Sequence, residues 1–170
     1  MENNNTDIVV SSEENVARIL LQSWIVDDEL QHTAFKLTTG ETYISVNRPI
    51  IDTFNSDIAT FIANHPDYQF DKDSYMCAML NVGDVRGIKV TKDDIQMDIN
   101  VEVESRGTHT KSHAGIFTRF HNKNVKNGQI LKYGPIGEEI SADTILLEVR
   151  NELLEIASLE KHTIHQCASR

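Results

Sequence analysis

Ile95-Gln-Met-Asp-Ile-Asn-Val-Glu-Val-Glu104 alternates without a break: Ile95, Met97, Ile99, Val101 and Val103 are apolar, and Gln96, Asp98, Asn100, Glu102 and Glu104 are polar. A period of two is strand geometry, because successive side chains point to opposite sides of the backbone, so this stretch reads as a strand with one buried and one wet, acidic face. Its neighbours supply candidate partners. Ala114–Thr118 is expected to pair back on it, and Tyr75–Val82, an apolar run bounded by Asp73-Ser74 and Gly83-Asp84, has the pattern of a buried strand. Val85–Val90 is expected to start another strand. Thr33–Leu37 and Thr42–Val46 flank Thr38-Thr-Gly-Glu41 in the manner of a hairpin.

Two segments carry helical spacing instead. After Arg48, Pro49 can open a helix over 49–64 in which Ile50, Ile51, Phe54, Ile58, Phe61 and Ile62 recur at three and four residues, ending before His65-Pro66. Ser141 or Asp143 is positioned to cap a second helix over 142–159, with Ile145, Leu146, Val149, Leu153, Ile156 and Leu159 on one stripe. Phe120–Gly137, rich in Asn, Lys and Gly, reads as a long loop with one short strand at Gln129–Tyr133. The expectation is therefore an α+β domain: a mostly antiparallel sheet of about five to seven strands with two amphipathic helices on one face. Residues 16–160 are expected to form that domain, with 1–15 a flexible acidic leader and 161–170 a flexible tail.

Composition excludes several classes. No run approaches the ~18 apolar residues of a membrane span, and the N-terminus has no secretory pattern. Cys77 lies in an apolar run and Cys167 in a polar tail, which suits reduced thiols, so a cytoplasmic protein without disulfides is expected. A net charge of −10 argues against coating duplex DNA over the whole surface. The charge is unevenly placed, however. Ser105–Gly137 holds Arg106, Lys111, Arg119, Lys123, Lys126 and Lys132 with no acidic residue, although the whole chain has 16 basic and 26 acidic side chains.

Three chemistries can be drawn from this segment. His109 and His113, four apart, would share one face of a helix as a two-histidine metal site requires, but Gly107, Ser112 and Gly115 read as loop and strand, so neither a metal site nor a cofactor is expected. Arg106, Lys111 and the hydroxyls of Thr108 and Ser112 could surround a phosphate, without the spacing of a P-loop. Cys77 with His113 as base has the order of a thiol hydrolase, and Ser112-His-Ala-Gly-Ile-Phe117 resembles the histidine strand of NlpC/P60-type papain-like enzymes; Met76-Cys-Ala-Met-Leu80 departs from their nucleophile context.

Thr33–Leu37 with Gly40–Arg48, Asn81–Ile88 and Ser112–Ile116 together resemble a family of small bacterial proteins. That resemblance implies recurring polar positions at Glu41, Ser45, Arg48, Arg86 and His113 and implies no activity. Three functions follow as expectations. The first is a binding or accessory protein whose basic face engages an acidic protein, a nucleotide or single-stranded nucleic acid through Arg48, Arg86, Arg106, Lys111, His113, Arg119, Lys123 and Lys126. The second is a small hydrolase or phosphoester-acting enzyme using His113 with nearby arginines, which requires a cavity beside that histidine. The third is a homo-oligomer that sets the basic loop of one copy against Asp98, Glu102 and Glu104 of another.

Overall fold

The computed structural model describes residues 9–107 and 110–165. In chain order its elements are β1 (Asn15–Ile19), β2 (Ile25–Val26), β3 (Glu29–Leu30), β4 (Tyr43–Asn47), α1 (Phe54–Asn64), β5 (Ser74–Asn81), α2 (Val82–Arg86), β6 (Thr91–Lys92), β7 (Ile95–Gln96), β8 (Ile99–Ser105), β9 (His113–Phe120), β10 (Lys123–Asn124), β11 (Ile130–Tyr133), β12 (Glu138–Ser141), α3 (Ala142–Ile156) and β13 (Ser158–Thr163). The architecture is α+β, built on a seven-stranded antiparallel sheet. Along it the strands run β8, β9, β4, β1, β5, β13, and β10 returns from β9 on the β4 side.

The alternating stretch behaves as its pattern demands over β8, where Ile99, Val101 and Val103 are buried while Asn100, Glu102 and Glu104 point the other way. Its first residues do not join the main sheet. Asp93 and Asp94, both at positive φ, make a tight two-residue turn that folds Ile95–Gln96 back on Thr91–Lys92, and the large strand starts afresh at Ile99. Asp27-Asp28 and His121-Asn122 make the same left-handed pair of residues in the β2–β3 and β9–β10 turns. These turns match the right-handed twist of their strands, and Asp and Asn tolerate positive φ better than most residues.

The helices lie on opposite faces, not on one. Ala17, Ile19, Tyr75 and Cys77 form a buried cluster with Phe54, Ile58 and Ile62 of α1. Val16, Ala78, Leu80, Ile44, Val46, Ala114 and Ile116 pack with Ile145, Leu146, Val149 and Leu153 of α3. Residues one apart on β1 and β5 thus serve different cores, as the strand period requires.

Several expected boundaries move. α1 begins at Phe54, because Arg48–Thr53 is held in consecutive turns by bonds from Ile51 N–H to Arg48 C=O and from Phe54 N–H to Ile51 C=O; Ile50 is 71% exposed. Ser141 caps α3 by accepting from Asp143 N–H, and the helix ends at Ile156, so Leu159 belongs to a strand. Thr33–Leu37 is no strand: His32–Phe35 is a 3-10 turn that buries Ala34 and Phe35. Val85 sits in α2, not at the start of a strand. The loop expected over Phe120–Gly137 contains β10 and the β11 arm of a hairpin closed by β12.

Both ends of the domain also extend. From Val9 onward the expected leader carries structure: Val9 bridges Glu104, Val10 is fully buried, and β1 already starts at Asn15. At the other end Lys161–Thr163 of the expected tail completes β13, which pairs with β5 from Ser158↔Met79 to Thr163↔Ser74.

Gly115, the third residue of β9, lies under two aromatic rings. A Cβ there would lie 2.6 and 2.8 Å from atoms of the Tyr43 ring and 3.0 Å from the Phe117 ring, and those rings sit 5.1 Å apart. Gly115→Ala is expected to destabilise the fold by about 1–3 kcal/mol, the usual cost of overpacking. Urea unfolding measures it, and a loss under about 0.5 kcal/mol would show that Tyr43 can swing away freely.

Candidate functional site

β4 and β9 run antiparallel in register, Ser45 opposite Gly115 and Asn47 opposite His113, and α1 crosses this face of the sheet. Between helix and strands lies a cleft of about 500 Å³. Ile19, Ser45, Asn47 and His113 come from the sheet, Asp57, Thr60, Phe61, Asn64 and His65 from α1 and its end, and Arg18, Tyr68 and Thr110 complete the wall.

The mouth of β9 is fixed by a buried polar network. Asp57 Oδ2 accepts from Thr53 Oγ1 (2.8 Å) and from Ser112 N–H (3.1 Å). Ser112, fully buried, accepts from Asn47 Nδ2 at 2.9 Å, and its carbonyl accepts from Arg48 N–H at 2.8 Å. This ties the segment before His113 to the first turn of α1, so strand and helix present their side chains together. His113 itself is half-buried, its ring centroid 5.9 Å from that of Tyr43. Burial holds its imidazole below the usual histidine range; a backbone hydrogen bond with Arg106 opposes this, and the Arg106 charge adds to it. The ring is therefore neutral near pH 7, able to accept a proton or a hydrogen bond.

That shift has a measurable sign. Because the folded chain resists protonating His113, the unfolded chain takes up the proton first, and stability is fully present above about pH 6.5 and declines as pH drops below it. Wild type should lose stability relative to His113→Gln between about pH 7 and pH 5. Denaturant melts across that range test this; a gap constant with pH would contradict it.

Arg18 is the cation of the cleft. It rises from β1, donates from Nε to Ala34 C=O (3.0 Å) and from Nη1 to Ser45 C=O (2.9 Å), and its guanidinium lies 5.0 Å over the Trp24 ring. Burial draws it below the usual arginine range while Tyr68 and Glu41 push the other way; the group stays charged all the same. Among the described residues no carboxylate lies in ion-pair contact with it. Beyond it runs an aromatic wall: Trp24 and Tyr68 at 6.2 Å, Tyr68 and Phe61 at 4.8 Å, Phe61 and His65 at 4.8 Å.

Three of the four arginines expected to bind an anion hold carboxylates of the chain. Arg48 grips Glu14 with both Nε and Nη2 at 2.9 Å. Arg86 pairs with Glu102 and donates to Ser12 Oγ and Val103 C=O. Arg119 holds Glu104 through two 2.8 Å bonds, lies over Phe117, and keeps the Glu104 carboxyl below the usual carboxylate range. Arg106 lies over Tyr43 and Phe117. Lys111 meets Asp52 in the open, and Lys132 sits across the β11–β12 hairpin from Glu139. Lys123 and Lys126 remain exposed on the β9–β10 side. Within the positive segment Arg119 thus meets a carboxylate of the neighbouring strand and Lys111 one of the turn before α1, which charge counting along the chain does not reveal. Glu102, Glu104 and Asp98, expected to meet a second copy, have Arg86, Arg119 and His121 as partners within the chain.

Cys77 is not placed to act as a nucleophile. It is 1% exposed in the core under α1, burial pushes its thiol up to about 12, and it lies three strands from β9, about 14 Å at ordinary strand spacing. His109 lies outside the described residues. Among the described residues no group of three or more potential metal ligands comes together, and no helix is long and apolar enough to cross a membrane.

Comparison with protein-family models, curated proteins and solved structures returns no match to this chain. The site must therefore be read from its own chemistry. Sequence reasoning reached His113 and, through the resemblance, Ser45; it passed over Arg18, Asp57 and the Phe61–His65–Tyr68 wall. The signal for Arg18 was present: a single charge inside Val16-Ala-Arg-Ile-Leu-Leu21.

Proposed function

We propose that this protein binds a small anionic ligand bearing an aromatic ring, a mononucleotide in kind, in the cleft between α1 and the sheet. The observation that carries the reading is Arg18, a guanidinium on the cleft wall whose side-chain bonds go to carbonyls and not to a carboxylate. An arginine with spare donors is suited to a phosphate or carboxylate, and desolvation strengthens such a pair. Phe61, Tyr68 and His65 offer ring faces and edges to the rest of the ligand, Ser45, Asn47 and Thr60 offer hydrogen bonds, and about 500 Å³ suits a molecule of that size. The buried free thiol of Cys77 supports a cytoplasmic setting.

The test is calorimetric titration with adenosine 5′-monophosphate, comparing wild type, Arg18→Gln and Lys123→Glu/Lys126→Glu. The cleft reading expects binding weakened in the first variant and kept in the second. The reverse pattern would transfer the site to the exposed lysines of the β9–β10 side, and absence of binding by wild type would reject a mononucleotide.

A second reading, phosphoester hydrolysis with His113 as general base, draws support from the open space beside a neutral imidazole. It expects turnover of p-nitrophenyl phosphate by wild type and none by His113→Gln.

A further inference from the structure

A second cleft, of about 600 Å³, opens on the other face of the sheet, between α3 and the Phe35–Thr39 segment. Ile44, Ile116, Leu146 and Val149 supply an apolar floor, and Thr118 and Asn127 bring polar groups to it. Arg150 of α3 stands in its wall. The Nε of Arg150 is closed off from solvent and has no hydrogen-bond partner, and no carboxylate among the described residues forms an ion pair with its guanidinium. The acidic group lining the same cleft, Asp143, is seven residues earlier, about 10 Å along the helix, and is engaged by Gly128 N–H at 3.0 Å.

A guanidinium with a shielded, unpaired N–H is unusual in a folded protein, where such donors are nearly always satisfied. Arg48, Arg86 and Arg119 in this same chain each have a carboxylate. From the joining of an unpaired arginine to an apolar floor we infer that the α3 cleft binds an amphipathic monocarboxylate, its chain against Ile44, Ile116, Leu146 and Val149 and its carboxylate on the Arg150 guanidinium. Lys36, exposed at the same cleft, adds positive charge on the approach. The cleft lies on the α3 face, whereas Ser45, Asn64 and His113 line the cleft on the α1 face.

Amide NMR titration of the full chain with sodium octanoate and, separately, with octanol tests the assignment. Octanoate should shift the resonances of Thr118, Asn127 and Val149 and leave Ser45 and Asn64 in place, while octanol binds about tenfold or more weakly. Arg150→Gln should weaken octanoate by about the same factor and leave octanol unchanged. Equal binding of octanoate and octanol, shifts confined to the Arg18 cleft, or no shift in wild type would overturn the proposal. The wild-type comparison decides the matter even if Arg150→Gln fails to fold.

Discussion

Arg18→Gln is expected to weaken binding of adenosine 5′-monophosphate by about 10- to 100-fold, the loss that follows when a charge-assisted hydrogen bond worth about 1.5–3 kcal/mol is removed. The fold should survive the change. Arg18 bonds to Ala34 C=O and Ser45 C=O, and a glutamine amide can still donate to one of them. The conservative Arg18→Lys should bind with intermediate affinity, since it keeps the charge and loses the planar fork. Calorimetry measures all three proteins. An Arg18→Gln variant that binds as wild type does would remove Arg18 from the site.

Glu14→Ala is expected to be the most damaging substitution outside the hydrophobic core. Glu14 and Arg48 are 10% and 16% exposed and joined by two 2.9 Å bonds, so removing the carboxylate leaves a largely desolvated guanidinium with no counter-charge. Breaking one side of such a pair costs about 3 kcal/mol, or about 10 °C in melting temperature for a domain of this size. The double variant Glu14→Ala/Arg48→Met should recover much of that loss, because an apolar pair leaves no charge unpaired. Thermal and urea melts of the single and double variants form the cycle. A single-variant cost below about 0.5 kcal/mol would place the pair among ordinary surface ion pairs. The result bears on the candidate site as well, since Arg48 N–H holds Ser112 C=O, one residue before His113.

Much of the fold was legible where local pattern and tertiary demand agree. The period of two over Ile99–Glu104 and the stripe Ile145, Leu146, Val149, Leu153 report one buried face each, and each element has one. Legibility failed where a short segment serves two masters. Thr33–Leu37 is rich in strand formers, yet burying Ala34 and Phe35 beneath α3 draws it into a 3-10 turn. Ile95 follows the alternation but is 43% exposed, because the Asp93-Asp94 turn commits it to a two-strand ribbon. The placement of the helices on opposite faces has a signal in β5, whose continuous apolar run Tyr75–Leu80 is the pattern of a strand covered on both sides, with Cys77 packed toward α1 and Ala78 toward α3.

The site was less legible than the fold. His113 stood out by its glycine-rich context, but Arg18 is separated from it by 95 residues of sequence and joined to it only through the β1–β4–β9 order of the sheet. Part of the basic segment shows the converse. Arg119 lies beside Glu104 only because β8 pairs with β9, with Asn100 opposite Arg119 and Glu104 opposite Gly115. Pairing of the strands neutralises Arg119, while Arg106, Lys123 and Lys126 stay exposed without an ion-pair partner among the described residues.

On the proposed function, the cleft between α1 and the sheet is where this protein meets its ligand. Its most direct test is amide NMR mapping of adenosine 5′-monophosphate on the full wild-type chain. Perturbations are expected to gather at Arg18, Ser45, Asn64, His65 and His113, with Lys123 and Lys126 unmoved. Perturbations gathered at Lys123 and Lys126 instead, or none at saturating nucleotide, would contradict it.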